Sequence, residues 1–364
     1  MKKIVTFPYH PDVETLIRFR TSLQGYQLAG FLSYKEDRNI LSRLNKSIGF
    51  DGLADEDILC GCDALVILDN YRDYGKSKYY RIIDEALKLQ KEVLVTPLAE
   101  MQLDLTKYKD KYQLLKCIPD GISDKIGENN SLSRAHKLQE IDIPIIGVIG
   151  VGKHCGKFES QLLLKSILDE EYETALIASN SLGTLFGCYT LPSSLFRICE
   201  FQAKIFEFNN FVEVVSENGI YDVVVIGIPE GIMPFEREEF HHFAEYPLVI
   251  SSAVHIDAAI LCTYFTIGLS MEHEEQALRE LVLFCESRFG LSVDIVSKSR
   301  VACEVPLSEF ERIIFEFLDQ EFLGKHCSRF ELSGFSLVNV WDRDSVNEVV
   351  DTLLLRLREN ADVV

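Results

Sequence analysis

Pro144–Ile167 reads PIIGVIGVGKHCGKFESQLLLKSI, an apolar run that breaks into three glycines and two lysines and resumes as a helical pattern. A phosphate-binding loop needs these parts. Glycines let successive backbone N–H groups turn inward, a helix N-terminus adds partial positive charge, and a lysine reaches the terminal phosphates. The usual spacing is GxxxxGK followed by Ser or Thr. Counted back from Lys157, Val151 stands where the first glycine belongs, flanked by Gly150 and Gly152, so the loop is one residue longer or differently turned. Phe158 follows Lys157 in place of the hydroxyl that ordinarily ligates Mg²⁺. Nucleotide then binds without that ligand, or the loop holds another anion, or it is a structural turn. Lys153 adds a second cation that offsets part of the missing metal charge. The cofactor expectation is ATP or GTP, with the usual Mg²⁺ ligation absent and no other metal site.

Outward from the loop, α/β alternation continues in both directions. Residues 1–125 carry four strand patterns (KKIVTF, LAGFLSY, CDALVILDN, EVLVT) with helical patterns between them, the signature of a parallel, Rossmann-like sheet. A polar stretch at 126–143 reads as a linker. Residues 144–250 form a second, P-loop NTPase-like α/β domain, with the strand ETALIASN, a helical pattern over 195–209 and the fully apolar strand YDVVVIGIPEG. Residues 251–364 read as a smaller α+β domain: strand AILCTYFTI, a long helix from Met271, strand LSVDIVSKS, a helix over SEFERIIFEFLDQEF and a final helix from Ser345.

Parallel strands deliver their C-terminal ends to one edge, where ligands bind. Two further stretches should reach the edge that carries the loop. Glu230, in the turn closing YDVVVIGIPEG, is the candidate catalytic carboxylate, acting on metal or water. Asn180 and Ser181, after ETALIA, can offer an amide and a hydroxyl. Together with Gly150, Gly152, Lys153, Gly156 and Lys157 these are the expected ligand-binding residues. His241 and His242 are adjacent, point to different faces and read as a solvated helix end. His255 and Asp257 would share a strand face, and Cys155 reads as a small apolar filler.

Lys and Arg number 37 against 57 Asp and Glu, a net charge of −20 that repels nucleic acid and anionic membrane surfaces. No apolar run approaches a membrane span, and the ten cysteines form no CxxC pair. The expectation is a cytoplasmic protein with reduced thiols.

The loop GVGKHCGKFESQ, the stretch SNSLGTLFG, the strand end IPEG, the segment DAAILCTY and the N-terminal IVTFPYHPDVETLIRF together make the chain resemble the clostridial peptide maturation system proteins. That family occurs beside radical-SAM enzymes and small cysteine-rich precursor peptides. The resemblance implies an accessory role in ribosomal peptide maturation, with the precursor peptide or a radical-SAM modifying enzyme as partner. The loop also resembles that of NTPases whose sequence runs GTGKRxGKT, matched by Gly150, Gly152, Lys153, Gly156 and Lys157 and departed from at Phe158. The other class open to the sequence is a non-catalytic scaffold that binds the peptide or enzyme and keeps the loop as a remnant.

Overall fold

Short runs of β-branched and aliphatic residues, buried on both faces, build two sheets in the computed structural model. It describes residues 1–9, 12–34, 56–69, 75–118, 137–234, 240–268, 270–304, 313–318, 320–325, 330–332, 335–340 and part of 344–357. The chain divides into two units: Met1–Cys117 with Ser181–Thr190, and Ile118–Asn180 with Leu191–Val364. Most of the expected linker lies outside the described residues.

The first unit holds strands β1 (Lys2–Phe7), β2 (Tyr26–Phe31), β3 (Ala64–Ile67), β4 (Glu92–Val95) and β5 (Gln113–Leu114). All pair in parallel in the order β2-β1-β3-β4-β5. Helix α1 (Asp12–Arg18) follows β1, α2 (Ser77–Lys88) joins β3 to β4, and α3 (Pro97–Gln102) follows β4. Along α2, Tyr79, Ile82, Ile83 and Ala86 are buried, the three-to-four spacing of one apolar helix face. Tyr79 packs edge-on to Phe7 of β1, with ring centroids 4.9 Å apart. This is the parallel, Rossmann-like sheet expected from the sequence.

The second unit is built on β6 (Ile145–Gly150), whose six residues are all buried. Helix α4 (Lys157–Leu168) leads to β7 (Thr174–Ala178). The chain then contributes Ser181–Thr190, with β8 (Tyr189–Thr190), to the first unit. It returns through α5 (Phe201–Asn218), β9 (Val223–Gly227), α6 (Glu245–Ala253), β10 (Ala258–Phe265), α7 (Met271–Phe289) and β11 (Val293–Glu304). Beyond these lie β12 (Ile314–Phe317), α8 (Gln320–Lys325), β13 (Phe330–Leu332) and β14 (Phe335–Asn339). Within this unit the strands run β13-β14-β11-β10-β6-β9-β7, with β12 paired to β11. The contacts of β6 with β9 and β10, of β7 with β9, and of β11 with β10 and β14 are parallel.

The C-terminal strands therefore extend the same sheet: β10 lies directly beside β6, and no break falls at residue 250. Their α+β character lies in two antiparallel pairings, β12 with β11 and β13 with β14. Two local expectations are corrected. The segment SEFERIIFEFLDQEF does not continue as one helix, because Ile314–Phe317 is a strand against Val301–Glu304. Phe315 and Phe317 are half-buried there while Glu316 is exposed, the alternation a strand requires. The helix expected over 195–209 runs instead over Phe201–Asn218, preceded by a 3₁₀ turn at Ser193–Phe196.

Candidate phosphate-binding site

The loops after β6 and β10 leave the sheet edge in opposite directions, one towards β7 and the other towards β11. Adjacent parallel strands whose connections diverge open a crevice at their C-terminal ends. The glycine-lysine loop occupies that position.

Its entry is fixed from both sides. The Val151 amide donates to the Cys262 carbonyl at 3.0 Å, and the Ile232 amide donates to the Gly150 carbonyl at 3.1 Å. The six residues 151–156 then turn before α4 begins at Lys157. Gly150 is required because a Cβ there would lie 2.4 Å from Cys155 Sγ and 2.9 Å from the Lys157 stem, which folds back over the loop. Gly156 caps α4 at φ +83° with no side-chain cap, and a Cβ on it would lie 2.8 Å from Ser299 Cβ of β11. Strand, loop and helix follow the P-loop plan. Val151 at the position of the usual first glycine is buried, and the turn it starts is closed from the other side by Gly231.

Lys157 is 8% exposed. Its ammonium donates to the Gly152 carbonyl and to the Glu230 carbonyl at 2.7 Å, with Cys155 Sγ at 3.7 Å. Three polar atoms thus hold the charge at the centre of the loop. Glu230, at φ +58°, turns its carboxylate towards His241 and Lys153. His241 Nδ1 lies 3.3 Å from Oε2, and Lys153 Nζ lies 3.6 Å from the same oxygen. Burial raises the carboxyl's pKa, but the His241 hydrogen bond and the charges of Lys153, His241 and Lys157 outweigh it and bring it down to about 2. The group is ionised at neutral pH.

The first turn of α4 is committed elsewhere. Phe158 is buried, the Glu159 carboxylate faces Arg300 at 3.8 Å, and Ser160 Oγ shares a hydrogen bond with Ser297 Oγ at 3.1 Å. Gln161 is fully buried; its Nε2 donates to Ser179 Oγ at 2.8 Å and its Oε1 accepts from the Ser179 amide at 3.0 Å. The oxygens of this turn do not fit Mg²⁺: no hydroxyl follows Lys157, and the nearest one, Ser160, turns to β11. Among the described residues no group of three or more His, Cys, Asp or Glu could hold a metal ion.

Gly150, Gly152, Lys153, Gly156, Lys157 and Glu230 come together as one site. Asn180 follows β7, which is separated from β6 by β9, and Ser181 opens the segment that belongs to the first unit. The sequence pattern reads His241 as solvated, yet it is 3% exposed and holds Glu230. No spacing rule links it to the loop. Tyr264, whose hydroxyl donates to the Lys153 carbonyl, and Phe315, whose ring meets His154 edge-on at 5.1 Å, were also missed. His255 is an exposed partner of Asp257 at 3.8 Å. Asp257 Oδ2 instead accepts the Ile145 amide at 2.8 Å and so fixes the start of β6. Cys155 and the other described cysteines are free thiols, and Cys155 is fully buried. Among the described residues no helix is long and apolar enough to cross a membrane.

No family model and no curated protein matches the sequence. Among solved structures, a DUF1611 family protein from Anabaena variabilis is similar over 82% of this chain and 88% of its own, at 11% identity and a TM-score of 0.51. That likeness is one of fold. An apo GTPase from Pyrococcus abyssi aligns over 58% of this chain and 95% of its own, with 14% identity and a TM-score of 0.30. A MurF ligase from Thermotoga maritima, in complex with ADP, aligns over 76% and 47%, with 13% identity and a TM-score of 0.26.

Proposed function

We propose that the second unit binds a nucleotide, ATP or GTP, or a simpler phosphate anion at residues 150–157. The observation that carries this reading is the Lys157 ammonium, drawn back over the loop and held by the Gly152 and Glu230 carbonyls at the mouth of the diverging strands. In the bound state Lys157 and the loop amides would meet phosphate oxygens. Glu230, ionised at the strand end, is the group positioned to orient water at a terminal phosphate. Phe158 removes the usual metal ligand, and metal charge counts most in the transition state, so binding is assigned ahead of turnover. At the level of the cell we propose a cytoplasmic accessory protein of ribosomal peptide maturation, whose partner is a cysteine-rich precursor peptide or its radical-SAM modifying enzyme. What supports this is the resemblance carried by the stretches quoted above.

Thermal unfolding of the wild type and Lys157→Ala with ATP, GTP and inorganic phosphate tests the site. A ligand at a hundred times its Kd adds about 2.7 kcal/mol, so a shift present in the wild type and lost in the variant supports it. No shift with any ligand would favour the non-catalytic scaffold, to be followed by capture with the precursor peptide.

A further inference from the structure

A Mg²⁺-dependent phosphate loop divides the ligand's charge between its lysine and the metal. This loop has one lysine more and one metal ligand fewer. Lys153 lies four positions before Lys157 and is 40% exposed along its side chain. Both lysines answer to the same residue: Lys157 to the main-chain oxygen of Glu230, Lys153 to its carboxylate. That carboxylate lies 3.6 Å from the Lys153 ammonium, and His241, buried beneath it, gives it a second partner that does not depend on Lys153.

We infer that phosphate binds here without Mg²⁺, Lys153 supplying the charge the metal would bring, and that Glu230 is an internal anion which the incoming phosphate displaces from Lys153. The inference rests on the phosphate site proposed above. It follows from what each side chain can still do. The oxygens of the first helical turn are held by Arg300, Ser297 and Ser179. Lys153 combines positive charge, solvent access and a partner it can leave. Releasing Lys153 does not strand Glu230, because the His241 contact remains.

The experiment is calorimetric titration of the full chain with ATP and with tripolyphosphate, each in Mg²⁺ and in EDTA. The wild type should bind equally in both within about twofold, and Lys153→Gln should bind about tenfold more weakly, the scale of one charge-assisted hydrogen bond. Glu230→Gln should bind more tightly, since the Glu230 carboxylate then no longer competes for Lys153. Lys153 is partly exposed, so its variant is expected to fold, and circular dichroism verifies that for each protein. Binding that needs Mg²⁺, or weaker binding by Glu230→Gln in Mg²⁺ alone, would overturn the inference and make Glu230 a metal ligand while leaving the phosphate site standing. An absence of binding in every condition would overturn the phosphate site and the inference together.

Discussion

Replacing Glu230 by Gln removes one charge from a turn that Lys153, Lys157 and His241 face. The carboxyl sits at about 2 against an ordinary 4.5. One pKa unit corresponds to about 1.4 kcal/mol, so the ionised carboxylate stabilises the fold by up to about 3 kcal/mol. A depressed carboxylate gives that stability above its unfolded pKa and loses it as pH falls through its folded one. The gap between wild type and Glu230→Gln should be about 2 to 3 kcal/mol near pH 7, less than half of that by about pH 3, and close to nil near pH 2. Urea unfolding followed by circular dichroism at several pH values reads the gap as a difference in midpoint. A gap of constant size over the whole range would show that the variant acts through packing, and the charge argument would fall.

Two further substitutions probe the frame around the site. Gly156→Ala should cost about 2 to 4 kcal/mol, combining a left-handed residue with overpacking against Ser299, and should weaken phosphate binding as α4 shifts; an unchanged melting temperature would contradict the contact. Lys298, 3% exposed, pairs with Glu274 at 2.5 Å, so Lys298→Ala should cost about 3 to 5 kcal/mol by leaving a carboxylate without its cation. A combined Lys298→Met and Glu274→Leu variant should recover most of that loss in the same denaturation assay, and failure to recover would assign the cost to lost packing.

Much of this architecture was legible because short-range pattern carries it. The apolar run Ile145–Gly150, the glycines after it and the helix from Lys157 announce strand, turn and helix within two dozen residues. The place of Glu230 beside the loop follows from position, since a parallel strand must end at the edge where the loop lies. What escaped the sequence is set by distant pairing. Ile314–Phe317 has residues compatible with either a helix or a strand, and only its ladder with Val301–Glu304 decides between them. His241 looks like a surface histidine until the turn at Gly231 brings Glu230 against it: a Cβ on Gly231 would lie 2.8 Å from the His241 ring. Ser297, Ser299 and Arg300 flank the loop through the placement of β11, which no spacing in the sequence encodes.

The bond between Ile145 and Asp257 sets the order in which the loop can form. The first amide of β6 is held by a carboxylate 112 residues later, and the exit of that strand is held by Cys262. Gly156 then turns against Ser299, later still. Contacts of such separation form late in folding, and a chain made from its N-terminus exposes residues 150–157 long before β10 and β11 exist. A fragment ending at residue 250 would carry every glycine and lysine of the motif and lack the strand that shapes them. The proposed phosphate site therefore takes its shape only after the C-terminal strands have joined the sheet.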